Sequence, residues 1–383
     1  MKQSVAIIGT RGYPSYYGGF ETAVRKLAPY LSSRGWDVTV YGRKGASKFD
    51  DPSRDARVKS VITRGLETKS LSTLTHGLTA VLDAARKKPD VALIMNVANG
   101  YWLPLLRLRG IPTLINVDGI EWDRAKWNRL AKFVFRTGAW LTARLGDRLV
   151  YDAKAIAERW ESDFGVGGVF IPYGGSDVPQ LPVEIGLSHR GYILMVARFV
   201  PENSVPEFIE AADNLADRWP VVVVGSSGYG GELEEQVRDL AERKPKVRWL
   251  GHIADDARLH SLWQHAGVYF HGHSVGGTNP ALVQAMACGT PIVARDTVYN
   301  REVIGDTGSL VSLNVSKMIE AISRVMIDSS LQNRLANAAK ARAAEFYTWD
   351  LVNGRYEEAL EKLASSAGAK SRSRRREAQS IGQ

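Results

Sequence analysis

Apolar residues in this chain fall into short continuous runs, separated by longer stretches in which they recur every three or four positions. In the first half the Val- and Ile-rich runs 5–8, 38–41, 91–95, 113–117, 149–151 and 169–171 predict strands. Segments near 20–34, 72–87, 121–145 and 153–163 predict amphipathic helices between or after them. Runs without polar alternation are buried on both faces, so the pattern predicts a parallel sheet covered by helices. A second series has strands at 193–196, 221–224, 247–250, 268–270 and 292–294. Its helices fall near 204–217, 231–243, 256–264, 279–287, 316–327 and 331–346. The Pro- and Gly-rich segment 171–182 has no helical period and separates the two series. The fold class is therefore α/β, with two doubly wound Rossmann-like domains at 1–172 and 191–346 and a linker at 173–190. A helix at 347–364 and a disordered Ser-, Ala- and Arg-rich tail at 365–383 complete the chain. Two facing domains of this class leave a cleft at the C-terminal ends of their strands.

The stretch V-Y-F-H-G-H-S-V-G-G-T-N-P-A-L-V-Q-A-M-A-C-G-T-P-I-V-A-R, residues 268–295, concentrates the punctuation. A buried strand leads into a loop through Gly276, Gly277 and Thr278; Asn279 suits an N-cap and Pro280 the first helical position, and Gly289 and Pro291 end the helix. A glycine loop feeding a helix N-terminus presents unpaired N–H groups and a positive dipole end, which suits phosphate. Gln284 interrupts the apolar pattern of this helix. Its amide either bonds a neighbouring loop or faces a ligand, and the helix pattern leaves both readings open.

At 383 residues the chain exceeds one ordinary α/β core. The single cysteine, Cys288, excludes an internal disulfide framework and a cysteine-rich metal site, and it points to a reducing compartment. The opening M-K-Q-S-V-A-I-I-G reads as a first strand rather than a signal peptide, and no apolar run approaches a membrane span. A net charge of +9 points to an acidic partner. One concentration of basic residues is the tail from Lys370 to Arg376. The other spans residues 122–148, where Arg124, Lys126, Arg129, Lys132, Arg136, Arg144 and Arg148 interleave with Trp122, Trp127, Phe133, Phe135 and Trp140. Basic and aromatic residues on one long helix suit an anionic membrane surface; the alternative is a solvated face over a core stripe. No nucleic-acid recognition motif accompanies the charge.

Four clusters fall at predicted strand ends. The first, G-T-R-G-Y-P-S-Y-Y-G-G-F-E-T, lacks the G-x-G-x-x-G spacing, and the second strand ends without an acidic residue for a ribose, which argues against a dinucleotide oxidoreductase. Gly18 and Gly19 form either an anion cradle or a tight turn. The second, N-V-D-G-I-E-W-D-R-A-K-W, places Asp118 and Glu121 beside Arg124 and Lys126; these carboxylates can hold hydroxyls or accept a proton, or Glu121 caps its helix or pairs with Arg124. The third, M-V-A-R-F-V-P-E-N, ends a strand in Arg198, whose fork could clamp a diphosphate. The fourth is the stretch 268–295 itself.

With these residues the chain resembles the retaining glycosyltransferases of family 4. The resemblance rests on Gly18 to Glu21, the V-A-R-F-V-P-E-N turn, V-R-W-L-G-H at 247–252 and A-M-A-C-G-T-P-I-V-A at 285–294, and it spans nearly the whole chain. The motifs Y-G-G-F-E, N-V-D-G-I-E-W-D-R-A-K-W and H-S-V-G-G-T-N-P look like the branch of bacterial rhamnosyltransferase-like proteins. The resemblance implies the GT-B fold, with the C-terminal helix returning to the N-terminal domain, a nucleotide-diphosphate sugar on the second domain and the acceptor on the first. It implies Arg198 and Asp118 as catalytic residues. Gly18, Gly19, Arg198, Asn203, Gly276, Gly277, Thr278, Asn279 and Gln284 would bind the donor, and Glu121, Arg124 and Lys126 the acceptor. It further implies L-rhamnose from dTDP-rhamnose, or a UDP- or GDP-hexose, moved to a polyprenyl-diphosphate-linked saccharide at the cytoplasmic membrane face, with no cofactor and no metal.

Three positions depart from the family pattern. Two glutamates eight residues apart are replaced by Gly276 and Gln284, and a lysine by Asn203, with Arg295 or Arg301 as possible substitutes for the lost cation. Losing a charge-assisted bond at position 284 costs about 1 to 3 kcal/mol of donor binding. The alternative reading is a non-catalytic sugar-nucleotide-binding or scaffold protein of the same fold.

Overall fold

The computed structural model describes residues 2–16, 18–66, 72–124, 127–228 and 230–381, with side chains as far as 366. Two compact units divide it, one of Met1–Pro172 with Asp350–Gln383 and the other Tyr173–Trp349.

The first unit contains β1 (Ser4–Ile8), α1 (Gly19–Ser33), β2 (Asp37–Arg43), β3 (Lys59–Thr63), α2 (Ser72–Lys87) and β4 (Val91–Met95). It continues through α3 (Leu103–Leu108), β5 (Thr113–Asn116), α4 (Arg129–Leu145), β6 (Arg148–Tyr151), α5 (Lys154–Phe164) and β7 (Val169–Phe170). All seven strands are parallel, in the order β3-β2-β1-β4-β5-β6-β7. Every residue of β4 is buried, as its unbroken V-A-L-I-M run requires of a central strand covered on both faces.

The second unit contains β8 (Ile193–Val196), α6 (Val205–Leu215), β9 (Val221–Val224), α7 (Glu232–Arg243), β10 (Val247–Trp249) and α8 (Asp256–His265). Then come β11 (Val268–His271), α9 (Pro280–Ala287), β12 (Ile292–Arg295), α10 (Val298–Ile304), β13 (Ser309–Val311), α11 (Val315–Ile327) and α12 (Ser329–Phe346). Its parallel sheet runs β10-β9-β8-β11-β12-β13.

The last helix, α13 (Trp349–Ile381), leaves the second unit and packs on the first. Its Tyr356 hydroxyl accepts a 2.7 Å hydrogen bond from Asn116, and its Glu357 carboxylate accepts from Tyr30, Arg34 and Trp36. The helical backbone runs past residue 364, where the sequence predicts disorder. Residues 364–381 are mostly Ala, Ser, Lys, Arg, Glu and Gln without proline, so nothing local stops the helix.

A second correction concerns 121–145, which is two elements. A 3-10 turn, Glu121–Asp123, is followed by a break, and α4 starts afresh behind Asn128, whose side chain accepts from Ala131 N–H at 2.9 Å. Trp122 belongs to the core, edge-on to Trp160 and Phe164, and is only 5% exposed. The aromatic and aliphatic residues that α4 exposes are Leu130, Phe133 and Trp140.

Candidate functional site

In the second unit the sheet reverses direction of growth between β8 and β11, the switch point at whose carboxyl ends ligands bind in folds of this class. Arg198 lies two residues past β8. Its guanidinium is exposed and makes no hydrogen bond or ion pair among the described residues, while its carbonyl accepts from Val200 N–H (2.9 Å) and Asn203 Nδ2 (2.7 Å). Asn203 is buried, and its Oδ1 lies 2.5 Å from His273 Nδ1 in the loop after β11. The amide expected near the donor is thus spent on latching the Arg198 turn to the glycine loop.

Ser204, in the left-handed region at φ +54°, donates to Gly272 O at 2.8 Å and accepts from Arg295 Nη1 at 3.0 Å. Asn300 then donates to the carbonyls of His273 and Arg295, both at 2.8 Å. The strand ends of β8, β11 and β12 are therefore fastened into one frame. Of the two arginines that could replace the missing lysine, Arg301 pairs with Asp296 at 2.5 Å, whereas Arg295 reaches the residue next to Asn203.

The glycine loop has open backbone at its centre. Gly276 has φ +90°, which a side chain would strain, and the N–H groups of Gly276 and Gly277 bond nothing among the described residues. Thr278 is buried, and Asn279 Oδ1 caps α9 by accepting from Ala281 N–H at 2.9 Å, with Pro280 in the first turn. The positive end of the α9 dipole and these N–H groups lie at one end of the helix, and the Asn203 latch ties the Arg198 turn to the same loop.

Sequence reasoning passed over His271. It is fully buried, and burial, with the charge of His273 second, holds its pKa well below the ordinary histidine range. Tyr269 Oη lies 3.0 Å from its Nδ1 and donates to Val196 O, which assigns the hydrogen to Nδ1. Nε2 is left as a buried acceptor with no partner among the described residues. The H-G-H run just past an apolar strand is the signal that marks the pair.

Gln284 takes the first of its two readings. Its Oε1 accepts from Ser176 N–H at 2.8 Å and its Nε2 donates to Ser176 O at 2.9 Å, pinning the linker to α9.

In the first unit Gly18 is the extended N-cap of α1 and Gly19 its first residue; the buried Glu21 carboxylate accepts from Arg11 N–H at 2.9 Å, tying the loop after β1. Asp118 and Asn96 end the neighbouring strands β5 and β4. Both have left-handed backbones, φ +63° and +74°, and their side chains meet at 3.5 Å. Non-glycine residues held there store strain of about 1 to 3 kcal/mol, a cost that clusters at functional sites. Asp118 N–H is fixed by Asn116 Oδ1 at 3.0 Å, and Asn116 in turn holds Tyr356.

Glu121, expected among the acceptor-binding residues, has both its oxygens engaged within the protein. It is 4% exposed, with one oxygen 2.7 Å from Arg124 and the other accepting from Trp127 Nε1 at 2.8 Å, so carboxylate and guanidinium serve each other and a core turn. Lys126 lies outside the described residues.

Comparison with known proteins gives two adjoining family matches, Glycosyltransferase Family 4 over residues 17–174 and Glycosyl transferases group 1 over residues 182–342. Phosphatidyl-myo-inositol mannosyltransferase of Mycolicibacterium smegmatis is 32% identical over 228 residues, 56% of this chain and 57% of that protein. O-antigen chain mannosyltransferase B of Escherichia coli is 23% identical, over 47% and 48%. The chain thus spans about half the length of the curated relatives it matches. Among solved structures, sucrose-phosphate synthase from Thermosynechococcus elongatus superposes with a TM-score of 0.79 at 18% identity, covering 95% of this chain and all of that one. The Anabaena HepE protein in complex with UDP does so at 0.73 and 17%, covering 94% and 100%. The chain has the GT-B fold, and its two halves are similar to the corresponding halves of glycosyltransferases.

Proposed function

We propose that the protein is a nucleotide-sugar-dependent glycosyltransferase that moves a hexosyl unit to a lipid-linked saccharide with retention of configuration. The observation that carries the reading is the Arg198 guanidinium, without a partner among the described residues, on a turn latched through Asn203 to the glycine loop whose N–H groups at the head of α9 are open. This is the arrangement that stabilises departing diphosphate charge, through a planar fork and preorganised N–H donors. Attack from the face of the leaving group lets a diphosphate oxygen take the acceptor proton, so the protein's work is chiefly electrostatic. Asp118, the catalytic candidate of the first unit, has its backbone fixed at a strand end. Gly18 and Gly19 line the head of α1.

The motif match to the rhamnosyltransferase-like branch makes L-rhamnose from a dTDP donor our choice of sugar, with UDP- and GDP-hexoses as the competing donors. Support for a lipid acceptor comes from the phosphatidyl-myo-inositol mannosyltransferases among the relatives and from α4, which exposes Leu130, Phe133 and Trp140 among Arg129, Lys132, Arg136 and Arg144. No helix among the described residues is long and apolar enough to cross a membrane, so this surface would meet lipid from one side. A second reading, a non-catalytic sugar-nucleotide binder of the same fold, is favoured by Asn203 and Gln284, whose amides are both spent inside the protein. Assay of the purified protein with dTDP-rhamnose, UDP-hexose and GDP-hexose on membrane extracts separates the two. Sugar transfer from any donor supports the enzyme, and nucleotide binding without transfer supports the binder.

A further inference from the structure

At the β7 edge of the first unit's sheet, away from the residues discussed above, a cavity of about 460 Å³ lies between the start of β6, β7 and α13. Its apolar part includes Phe170 and Leu363. Two arginines line it, Arg148 from β6 and Arg355 from α13, and neither guanidinium makes a hydrogen bond or ion pair among the described residues. The carboxylates in the lining are already committed. Asp147 accepts from the Thr113 N–H and hydroxyl at 2.9 and 3.1 Å, and Glu358 is paired with Lys362 at 2.5 Å. Lys362, also in the lining, balances Glu358, while Asp147 keeps its charge among neutral donors, so the two arginines leave the cavity a net +1 on planar forks that match phosphate oxygens.

The position supplies the source of the anion. Arg148 follows the last residue of α4 by three positions, and α4 carries the exposed Phe133 and Trp140 among its basic residues. A cavity with a cationic rim and an apolar wall, whose Arg148 continues the chain from such a helix, fits one phospholipid, phosphate on the arginines and glycerol backbone against Phe170 and Leu363.

We propose that this cavity is a binding site for the phosphate headgroup of an anionic membrane lipid, separate from the transfer site. It shares with the functional reading above only the membrane as partner.

The test uses the full-length protein and dihexanoyl phosphatidylglycerol below its micelle concentration, titrated by calorimetry into wild type and the Arg148→Gln/Arg355→Gln variant. Saturable 1:1 binding by wild type, weakened about tenfold or more in the variant, is the expected result. Inorganic phosphate and glycerol 3-phosphate are the second arm and should bind much more weakly; equal affinity would mean a free-phosphate site and overturn the lipid assignment. Absence of lipid binding to wild type, or equal binding by both proteins, overturns the proposal. Nucleotide-induced stabilisation, measured on the same preparations, should be equal in both. Its retention shows that the variant is folded, and its absence from wild type would count against the transferase reading and leave the lipid result standing.

Discussion

Gln284 and Ser176 exchange two hydrogen bonds, 2.8 Å and 2.9 Å long, that tie the helix after the glycine loop to the start of the linker. A glutamate at position 284 could accept from Ser176 N–H but could not donate to its carbonyl. Gln284→Glu should therefore lose about 1 to 3 kcal/mol of stability, seen as a lower Tm at neutral pH, with no gain in nucleotide affinity. A tighter nucleotide complex in this variant would instead mean that the side chain faces the ligand.

Asn203 has no charge to offer a diphosphate, yet its amide joins the Arg198 carbonyl to His273. Asn203→Ala should lower nucleotide affinity through the freed loops while leaving the unit folded. Asn203→Lys tests the other possibility. A cation gained at the cost of the latch should weaken binding, and improved affinity would show that charge alone is limiting.

The cap of α9 can be assessed separately. Asn279→Ala removes the acceptor for Ala281 N–H and should cost about 1 kcal/mol in chemical denaturation. Asn279→Asp keeps the acceptor and should restore most of that stability but place a negative charge at the anion site, weakening nucleotide binding. Equal nucleotide affinity in wild type and Asn279→Asp would argue that the diphosphate lies elsewhere.

His271 makes stability pH-dependent with a defined sign. Its folded-state pKa is depressed, so between that value and about 6.5 the unfolded chain binds the proton and the folded one does not. The stabilisation is complete above about pH 6.5 and declines as pH falls below it. His271→Phe retains a ring and removes the titration, so the drop in Tm between pH 7.5 and pH 5.5 should shrink. An unchanged drop would assign the acid sensitivity to other groups.

Much of this architecture is legible in the sequence because it follows from burial. The V-A-L-I-M and V-V-V-V runs can only be central strands, and Asn279-Pro280 with Gly289 brackets α9 at both ends. The strands that escaped notice, β3 and β13, are sheet edges, partly exposed and without a continuous apolar run. The break before Asn128 was hidden because aromatic and basic residues keep a helical rhythm across it. Pairings are harder to read than elements. Gln284 and Ser176 are 108 positions apart, and only the folded chain decides whether a buried amide meets a backbone or a ligand. Glu121 illustrates the converse, since its partner was in local reach and the i,i+3 pairing with Arg124 was among the readings its spacing allowed.

On the transferase reading Arg198 and the glycine loop bind a nucleoside diphosphate. Thermal stabilisation by dTDP, UDP, GDP and ADP, compared in wild type and Arg198→Ala, tests it most directly, because ligand at 100 times its Kd adds about 2.7 kcal/mol. A shift selective for one nucleotide in wild type, dTDP on our reading, is expected, largely lost in Arg198→Ala without a change in the unliganded Tm. No shift with any nucleotide at millimolar concentration, or an equal shift in both proteins, would contradict it.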